Sequence, residues 1–166
     1  ELMRHRGQIQ AATPADVAAA LKTNPNLTST VIRQLALADG SFDREALQIL
    51  PEPLSGANAK AMQSLGSALQ RLLANGMHEE DFGEYASLFF TKKNEPKKLG
   101  TNLPLKSDDR LRSIAEAEQQ RIGAALQEIA KADALAAAAA LLVVAKDLIG
   151  RYSQAKDSRS QLDYDD

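Results

Sequence analysis

The chain has 166 residues, a formal net charge of −2 and an aromatic content of 4%, and it contains neither cysteine nor tryptophan. The length suits one domain with a hydrophobic core, or a small domain with a helical extension. The absence of cysteine excludes disulfides and thiol catalysis. The small net charge gives no general argument for nucleic acid or a membrane as a partner. Alanine and leucine dominate the apolar residues, which favours helices over strands.

Short helices are predicted across residues 13–90. Thr13-Pro14 predicts a helix start, because threonine caps a helix and proline fits its first position. Asp39-Gly40 ends the next helix, and Pro51 ends a third. A fourth helix ends at Asn75-Gly76. A fifth helix follows, and we expect it to be a core element because it holds four of the seven aromatic residues: Phe82, Tyr85, Phe89 and Phe90.

Residues 91–106 form the one long irregular segment, with two prolines, a glycine and five lysines against a single glutamate. This composition predicts a basic hinge over residues 92–106. The hinge would separate an N-terminal helical bundle over residues 1–91 from a long helix over residues 107–157. The polar, acidic segment 158–166 would then be a loosely held tail.

The long helix is predicted to begin at Ser107, with Asp108 and Asp109 meeting the positive end of its dipole. Its apolar run Ala134–Ala145 has no polar face over twelve residues, fewer than the roughly 20 needed to span a membrane. We therefore expect this run to be the buried central helix of a bundle. A straight helix of this length would measure about 75 Å. That length requires either a kink, near Gly123 or Ala132–Asp133, or a projection that meets another chain.

These observations predict an all-α fold. It would consist of an N-terminal bundle of about five short helices, a lysine-rich hinge, and a long C-terminal helix, continuous or kinked, or a helical hairpin.

The acidic residues between two predicted helices are candidates for a metal site. Asp39, Ser41 and Asp43 alternate like the first ligands of a calcium loop, but Arg44 replaces the sharp-turn glycine and Leu50 replaces the final acid. Over about ten residues, Asp39-Gly40 followed by Asp43, Glu45, Ala46 and Leu47 resembles the acidic turn of tellurite-resistance TerB-like helical domains. That resemblance implies a metal role. A capped helix–helix turn is the simpler interpretation, and we expect no metal.

Residues 13–38 also resemble a helix-turn-helix in spacing. The second helix would present short polar side chains and one cation to nucleic acid. The lysines of residues 92–106 would add positive charge, although no aromatic residue lies among them for base stacking. The candidate nucleic-acid contacts are Thr28, Ser29, Thr30, Arg33, Lys92, Lys93, Lys97 and Lys98.

His78-Glu79-Glu80-Asp81 is most simply a helix start, because acids in a first turn complement the helix dipole. No phosphate-binding loop, zinc-binding helix motif or nucleophile motif is present in the sequence. We therefore expect no enzyme activity and no cofactor.

The sequence favours a non-catalytic assembly or scaffolding protein, which would use the alanine-rich helix to bind itself or a protein partner. We expect a homo-oligomer. The predicted contact residues are Ile122, Leu126, Ile129, Leu135, Ala138, Leu141, Leu142 and Val144. The alternative is a nucleic-acid-binding accessory protein of a phage or mobile element. No membrane span is predicted, and we expect a soluble protein, cytoplasmic or virion-associated rather than secreted.

Overall fold

A computed structural model describes residues 5–99 and 104–158 of the chain. Within this part the chain is helical, and the sole extended pairing is an isolated antiparallel bridge between Phe90 and Pro96. The helices are α1 (Arg6–Ala11), α2 (Pro14–Leu21), α3 (Ser29–Leu37), α4 (Arg44–Gln48), α5 (Pro51–Ser55), α6 (Lys60–Asn75), α7 (Phe82–Phe89) and α8 (Asp109–Ser158), with a 3-10 turn at Glu79–Asp81. The predicted all-α fold is confirmed. The predicted acidic tail lies outside the described residues, apart from Ser158.

Local capping explains where two of the short helices, α2 and α4, begin. The Thr13 hydroxyl accepts from the Asp16 amide at 3.3 Å, and the Asp16 carboxylate accepts from the Thr13 amide at 2.8 Å. These two bonds satisfy backbone donors that a helix start leaves free. The hydrogen bonds from Thr13 also lower the pKa of Asp16 below its usual value. Asp43 caps α4 in the same way, accepting from the Ala46 amide at 2.9 Å.

The start of α8 differs from the sequence prediction by one residue. Asp108, not Ser107, caps the helix: its Oδ1 accepts from the amides of Arg110 at 2.9 Å and Leu111 at 3.1 Å. The Ser107 hydroxyl instead donates to the Pro104 carbonyl at 3.0 Å. An ionised carboxylate is a stronger acceptor than a hydroxyl at the positive end of the dipole, so the acid is the better cap. From Asp109 the helix is continuous to Ser158.

The contacts group the chain into two compact units. Residues 29–129 form one unit, and residues 1–28 together with 130–166 form the other. This division falls within α8.

The core of the unit formed by residues 29–129 is built from aliphatic and aromatic side chains. Tyr85 and Phe89 of α7 are fully buried, and their rings meet edge to face with centroids 5.5 Å apart. Ile122 of α8 is also fully buried. Further members of this core, all less than a tenth exposed, are Leu37, Leu47, Leu50, Leu54, Met62, Leu69, Leu72, Phe82 and Leu105.

Residues 91–97 fold as a closed turn and do not form an open linker. The Thr91 amide donates to the Glu95 carbonyl at 2.8 Å, and the Lys97 amide donates to the Phe89 carbonyl at 2.9 Å. The Gln119 side chain of α8 donates to the carbonyls of Phe89 at 2.8 Å and Lys97 at 2.9 Å. The described start of the predicted hinge is thus held on α7 and α8 by hydrogen bonds. Residues 100–103 of that hinge lie outside the described part.

The expectation that the run Ala134–Ala145 is buried on all sides is wrong for the single chain. Leu141 and Val143 are each 69% exposed and Val144 is 64% exposed. The residues that are covered follow one stripe of α8: Ala132, Leu135 and Ile149 are buried, with Ala139, Leu142 and Lys146 half-buried between them. In this unit the described residues of the chain cover only one side of the helix.

Gly66 of α6 is a site where the fold leaves no room for a side chain. A Cβ there would lie 2.6 Å from the Ser55 amide nitrogen and 2.7 Å from the Pro51 carbonyl oxygen.

We predict that Gly66→Ala destabilises the protein by about 1–3 kcal/mol, because the backbone of α5 must move. Gly83→Ala is the matched control. A Cβ at Gly83 meets nothing within 4 Å, so we expect that variant to gain about 0.5–1 kcal/mol from its higher helix propensity. Urea unfolding followed by circular dichroism measures both, and equal stabilities would contradict the close packing of α5 on α6.

Candidate functional site

A buried carboxylate lies between α7 and α8. Glu118 is 5% exposed and is the sole buried charged residue in the described part of the chain. Arg121, one turn further along α8, donates to both carboxylate oxygens, from Nε at 2.8 Å and from a terminal nitrogen at 2.6 Å. The Tyr85 hydroxyl of α7 donates to the same carboxylate at 2.5 Å. Charge-assisted bonds of this kind offset the cost of removing an ion from water.

The same arginine extends the network to α3. Its remaining terminal nitrogen donates to the Ala36 carbonyl at 2.6 Å, and its guanidinium lies 5.2 Å from the centroid of the Phe42 ring. Arg44 also stacks on Phe42, at 5.5 Å. Burial lowers the pKa of Arg121, but the hydrogen bonds and charge of Glu118 outweigh it and raise that pKa above its usual value. Every nitrogen and oxygen of the Tyr85–Glu118–Arg121 network has a protein partner, and the network joins α3, α7 and α8.

A cavity of about 590 Å³ opens beside α7. We call it the α7 cavity. Its position follows from the end of α7 at Phe89, where the chain turns back through residues 91–97 and meets α8. The lining residues are Arg33, Phe82, Gly83, Ala86, Ser87, Phe90, Thr91, Lys92, Asn94, Lys97, Leu126 and Ile129.

The α7 cavity combines an apolar lining with cations. Arg33, Lys92 and Lys97 contribute positive charge, and no Asp or Glu occurs among the described residues that line it. Glu79 approaches Arg33 from outside the lining, at 3.9 Å, and the Arg33 side chain is 37% exposed. The Lys97 ammonium donates to the Ser87 carbonyl at 2.5 Å. This arrangement favours a ligand with one apolar and one anionic part.

The α7 cavity brings together residues that the sequence assigned to two different roles. Arg33, Lys92 and Lys97 were predicted nucleic-acid contacts, whereas Leu126 and Ile129 were predicted protein contacts. The remaining candidates Thr28, Ser29, Thr30, Lys93 and Lys98 do not line it. The two helices of the predicted helix-turn-helix, α2 and α3, fall into different compact units, so nucleic-acid binding stays a prediction.

A second candidate surface is the exposed side of α8 in the unit of residues 1–28 and 130–166. We call it the outer face and define it as Ala134, Ala137, Leu141, Val144, Leu148 and Arg151. Leu141 is 69% exposed, Val144 64% and Leu148 53%, and the Arg151 side chain is 77% exposed and paired with Asp147 at 2.9 Å. Its spacing of three and four residues is that of a helix–helix seam.

Several predicted contact residues are used inside the chain. Ile122, Ile129 and Leu135 are each less than a tenth exposed within the chain, and their assignment as contact residues stays a prediction. Ala138 and Leu142 are half-buried, whereas Leu141 and Val144 are exposed. Sequence reasoning missed Val143, Leu148 and Tyr152, which are 69%, 53% and 41% exposed. Because α8 has apolar residues on both sides, its sequence does not show which side is buried within the chain.

The acidic turn between α3 and α4 acts as a set of caps. The Ser41 hydroxyl donates to the carbonyls of Ala38 at 2.7 Å and Ala36 at 3.0 Å. Asp39 accepts from Arg44 at 3.2 Å, and Asp43 caps α4.

The other acidic segment also forms a cap. At the 3-10 turn Glu79–Asp81, the Asp81 carboxylate accepts from the His78 amide at 2.9 Å. Within residues 5–99 and 104–158, no three His, Asp or Glu side chains are grouped to hold a metal ion.

Comparisons of the chain with protein-family models, with curated proteins and with solved structures gave no match. In the described part of the chain, no helix has both the length and the apolar character needed to cross a membrane.

We predict that Arg121→Met destabilises the protein by about 3 kcal/mol, because Glu118 is left buried without its cation. Tyr85→Phe should cost less, about 1–2 kcal/mol, because Glu118 keeps both bonds from Arg121. Arg71→Met is the matched control: Arg71 and Glu84 form an exposed pair, and we expect a change within about 0.5 kcal/mol. Chemical unfolding measures all three, and equal losses for the Arg121 and Arg71 variants would contradict the role of the network.

The tyrosine of the network predicts a loss of stability in alkali. Burial, followed by the charge and hydrogen bond of Glu118, raises the pKa of Tyr85 far above its usual value. The folded protein therefore keeps this proton to a higher pH than the unfolded chain, whose tyrosines ionise near pH 10. The stabilisation is complete below about pH 10 and is lost as the pH rises further.

Comparison with Tyr85→Phe isolates this contribution from all other titrating groups. The difference in unfolding free energy between the wild type and the variant should shrink as the pH rises from about 10 to about 11. A difference that stays constant or grows over this range would show that the Tyr85 proton is not held in the folded state.

Proposed function

We propose that the protein is a non-catalytic assembly protein whose outer face on α8 binds the same face of a second copy. The observation that carries this proposal is the exposure of Leu141, Val144 and Leu148 on one side of a helix whose opposite side is covered by the chain itself. Exposing three large apolar side chains to water, at the spacing of a helix–helix seam, does not stabilise a monomer. Exposed apolar patches of this kind mark protein interfaces.

Small residues beside these side chains support close helix packing. Ala134 and Ala137 lie on the outer face, and Ala140 lies next to it; all three are exposed. Alanine side chains let a second helix approach closely, so that Leu148 of each copy fills the space above Ala137 of the other.

The residue order of the outer face favours an antiparallel pair. Turning a second copy end to end places Leu141 opposite Val144, Ala137 opposite Leu148, and Ala134 opposite Arg151. Each contact occurs twice, as a two-fold interface requires. In two of these pairs a large residue faces an alanine, and in the third Leu141 faces Val144.

Charge also favours the antiparallel arrangement. In a parallel pair Arg151 of one copy would face Arg151 of the other, and two like charges would meet in the seam. In the antiparallel pair each Arg151 meets Ala134, next to Asp133. The exposed ion pair of Arg151 with Asp147 of its own chain is worth little, so the arginine is available to Asp133 of the second copy.

We predict that the wild type has twice the mass of the chain and that Leu141→Glu reduces it to that of a single chain. The substitution places two unpaired carboxylates in the two-fold seam, at a cost of several kcal/mol. Sedimentation equilibrium over a range of concentrations measures the change.

Leu35→Glu provides the matched control. Leu35 is an exposed leucine on α3, outside the outer face, at 56% exposure. We expect this variant to keep the mass of the wild type. A wild type that sediments as one chain, or a loss of association in the Leu35 variant as well, would contradict the proposed interface.

A further inference from the structure

We infer that the α7 cavity binds a small anionic amphiphile, meaning an alkyl chain that ends in one carboxylate or phosphate group. This site is separate from the outer face of α8, and the inference does not depend on self-association. It rests on the apolar lining, on the positive charge at the cavity and on the room left by one glycine.

The apolar part of the ligand is matched by side chains from two helices. Phe82 and Ala86 of α7 lie on one side, and Leu126 and Ile129 of α8 on the other. Gly83 also lines the cavity, and a Cβ there would meet nothing within 4 Å. The missing side chain leaves space in a helix turn that otherwise carries large residues. A volume of about 590 Å³ lies within the range of small-molecule sites.

The anionic part is matched by three cations from two segments of the chain. Arg33 lies on α3, and Lys92 and Lys97 belong to the turn that follows α7. The Ser87 carbonyl holds the Lys97 ammonium, which fixes the charge at the cavity. Glu79 approaches Arg33 only at 3.9 Å, leaving the guanidinium able to form a shorter bond with an anion.

The burial of the aromatic rings favours a small amphiphile over single-stranded nucleic acid. Phe82 is 2% exposed and Phe90 is 8% exposed, so neither ring presents the open face that a stacked base requires. An alkyl chain needs only apolar walls.

Binding is tested by titrating the wild-type protein with dodecanoate and with dodecyl phosphate, below micellar concentrations, while recording amide NMR spectra. We expect saturable shifts at Gly83, Ser87 and Asn94 for at least one of the two anions. The comparison between them distinguishes a fatty-acid carboxylate from a phosphate headgroup. Dodecyltrimethylammonium has the same chain with a positive headgroup, and inorganic phosphate has the headgroup alone. Both should bind at least about tenfold more weakly.

Two variants locate the site. Gly83→Leu fills the cavity and should abolish binding while the helix content is kept, because the glycine position is open. Gly7→Leu is its matched control, since a Cβ at Gly7 also meets nothing within 4 Å and Gly7 does not line the cavity. Lys92→Gln should weaken binding several-fold, whereas Lys60→Gln, the same charge change at an exposed residue of α6, should not. If neither anion binds, the inference is overturned. Binding that Gly83→Leu leaves intact, or equal affinity for the cationic amphiphile, also overturns it.

Discussion

The structure depends on how one fifty-residue helix is covered along its length. α8 carries apolar residues on more than one side, and an isolated helix gains little stability in water without a packed face. In the unit of residues 29–129, Ile122 and Leu111 are buried by the shorter helices. In the unit of residues 1–28 and 130–166, Leu135 and Ile149 are buried but Leu141, Val144 and Leu148 are not. The proposed assembly follows from that uncovered side.

Within residues 29–129, apolar packing is combined with one buried ionic network. A buried carboxylate must keep its hydrogen-bond partners, because a buried charge without them is costly. Glu118 accepts from Arg121 of its own helix and from the Tyr85 hydroxyl of α7, and Arg121 also donates to the Ala36 carbonyl of α3. The network therefore joins α8 to both α3 and α7 by hydrogen bonds. Leu126 and Ile129 of the same helix line the α7 cavity.

The sequence predicted the elements of the fold better than their tertiary roles. The helix start at Thr13 and the aromatic helix α7 depend on residues close together in the chain, and local chemistry was sufficient to find them. Pro51, predicted only to end a helix, also begins the short helix α5. The predicted N-cap of α8 was wrong by one residue, because Ser107 and Asp108 are both suitable caps. Only the hydrogen bonds of the folded chain show that Asp108 is the cap. The burial of Ala134–Ala145 was mispredicted because composition measures apolar character and does not measure how many neighbours the chain supplies. The sequence could not predict the α7 cavity. Arg33 and Lys97 are far apart in the chain, and only the packing of α3, α7 and the following turn brings them to one cavity.

Cross-linking through introduced cysteines tests the antiparallel seam most directly, because the chain has no cysteine of its own. Ala137→Cys and Leu148→Cys are prepared separately, mixed, and oxidised. In the antiparallel pair Cys at 137 lies opposite Cys at 148, while two copies of the same cysteine lie about 16 Å apart along the helix axis, too far for a disulfide. The account predicts covalent dimers in the mixture and none in either variant alone. Dimers formed by each variant by itself, or no dimers in any sample, would contradict it.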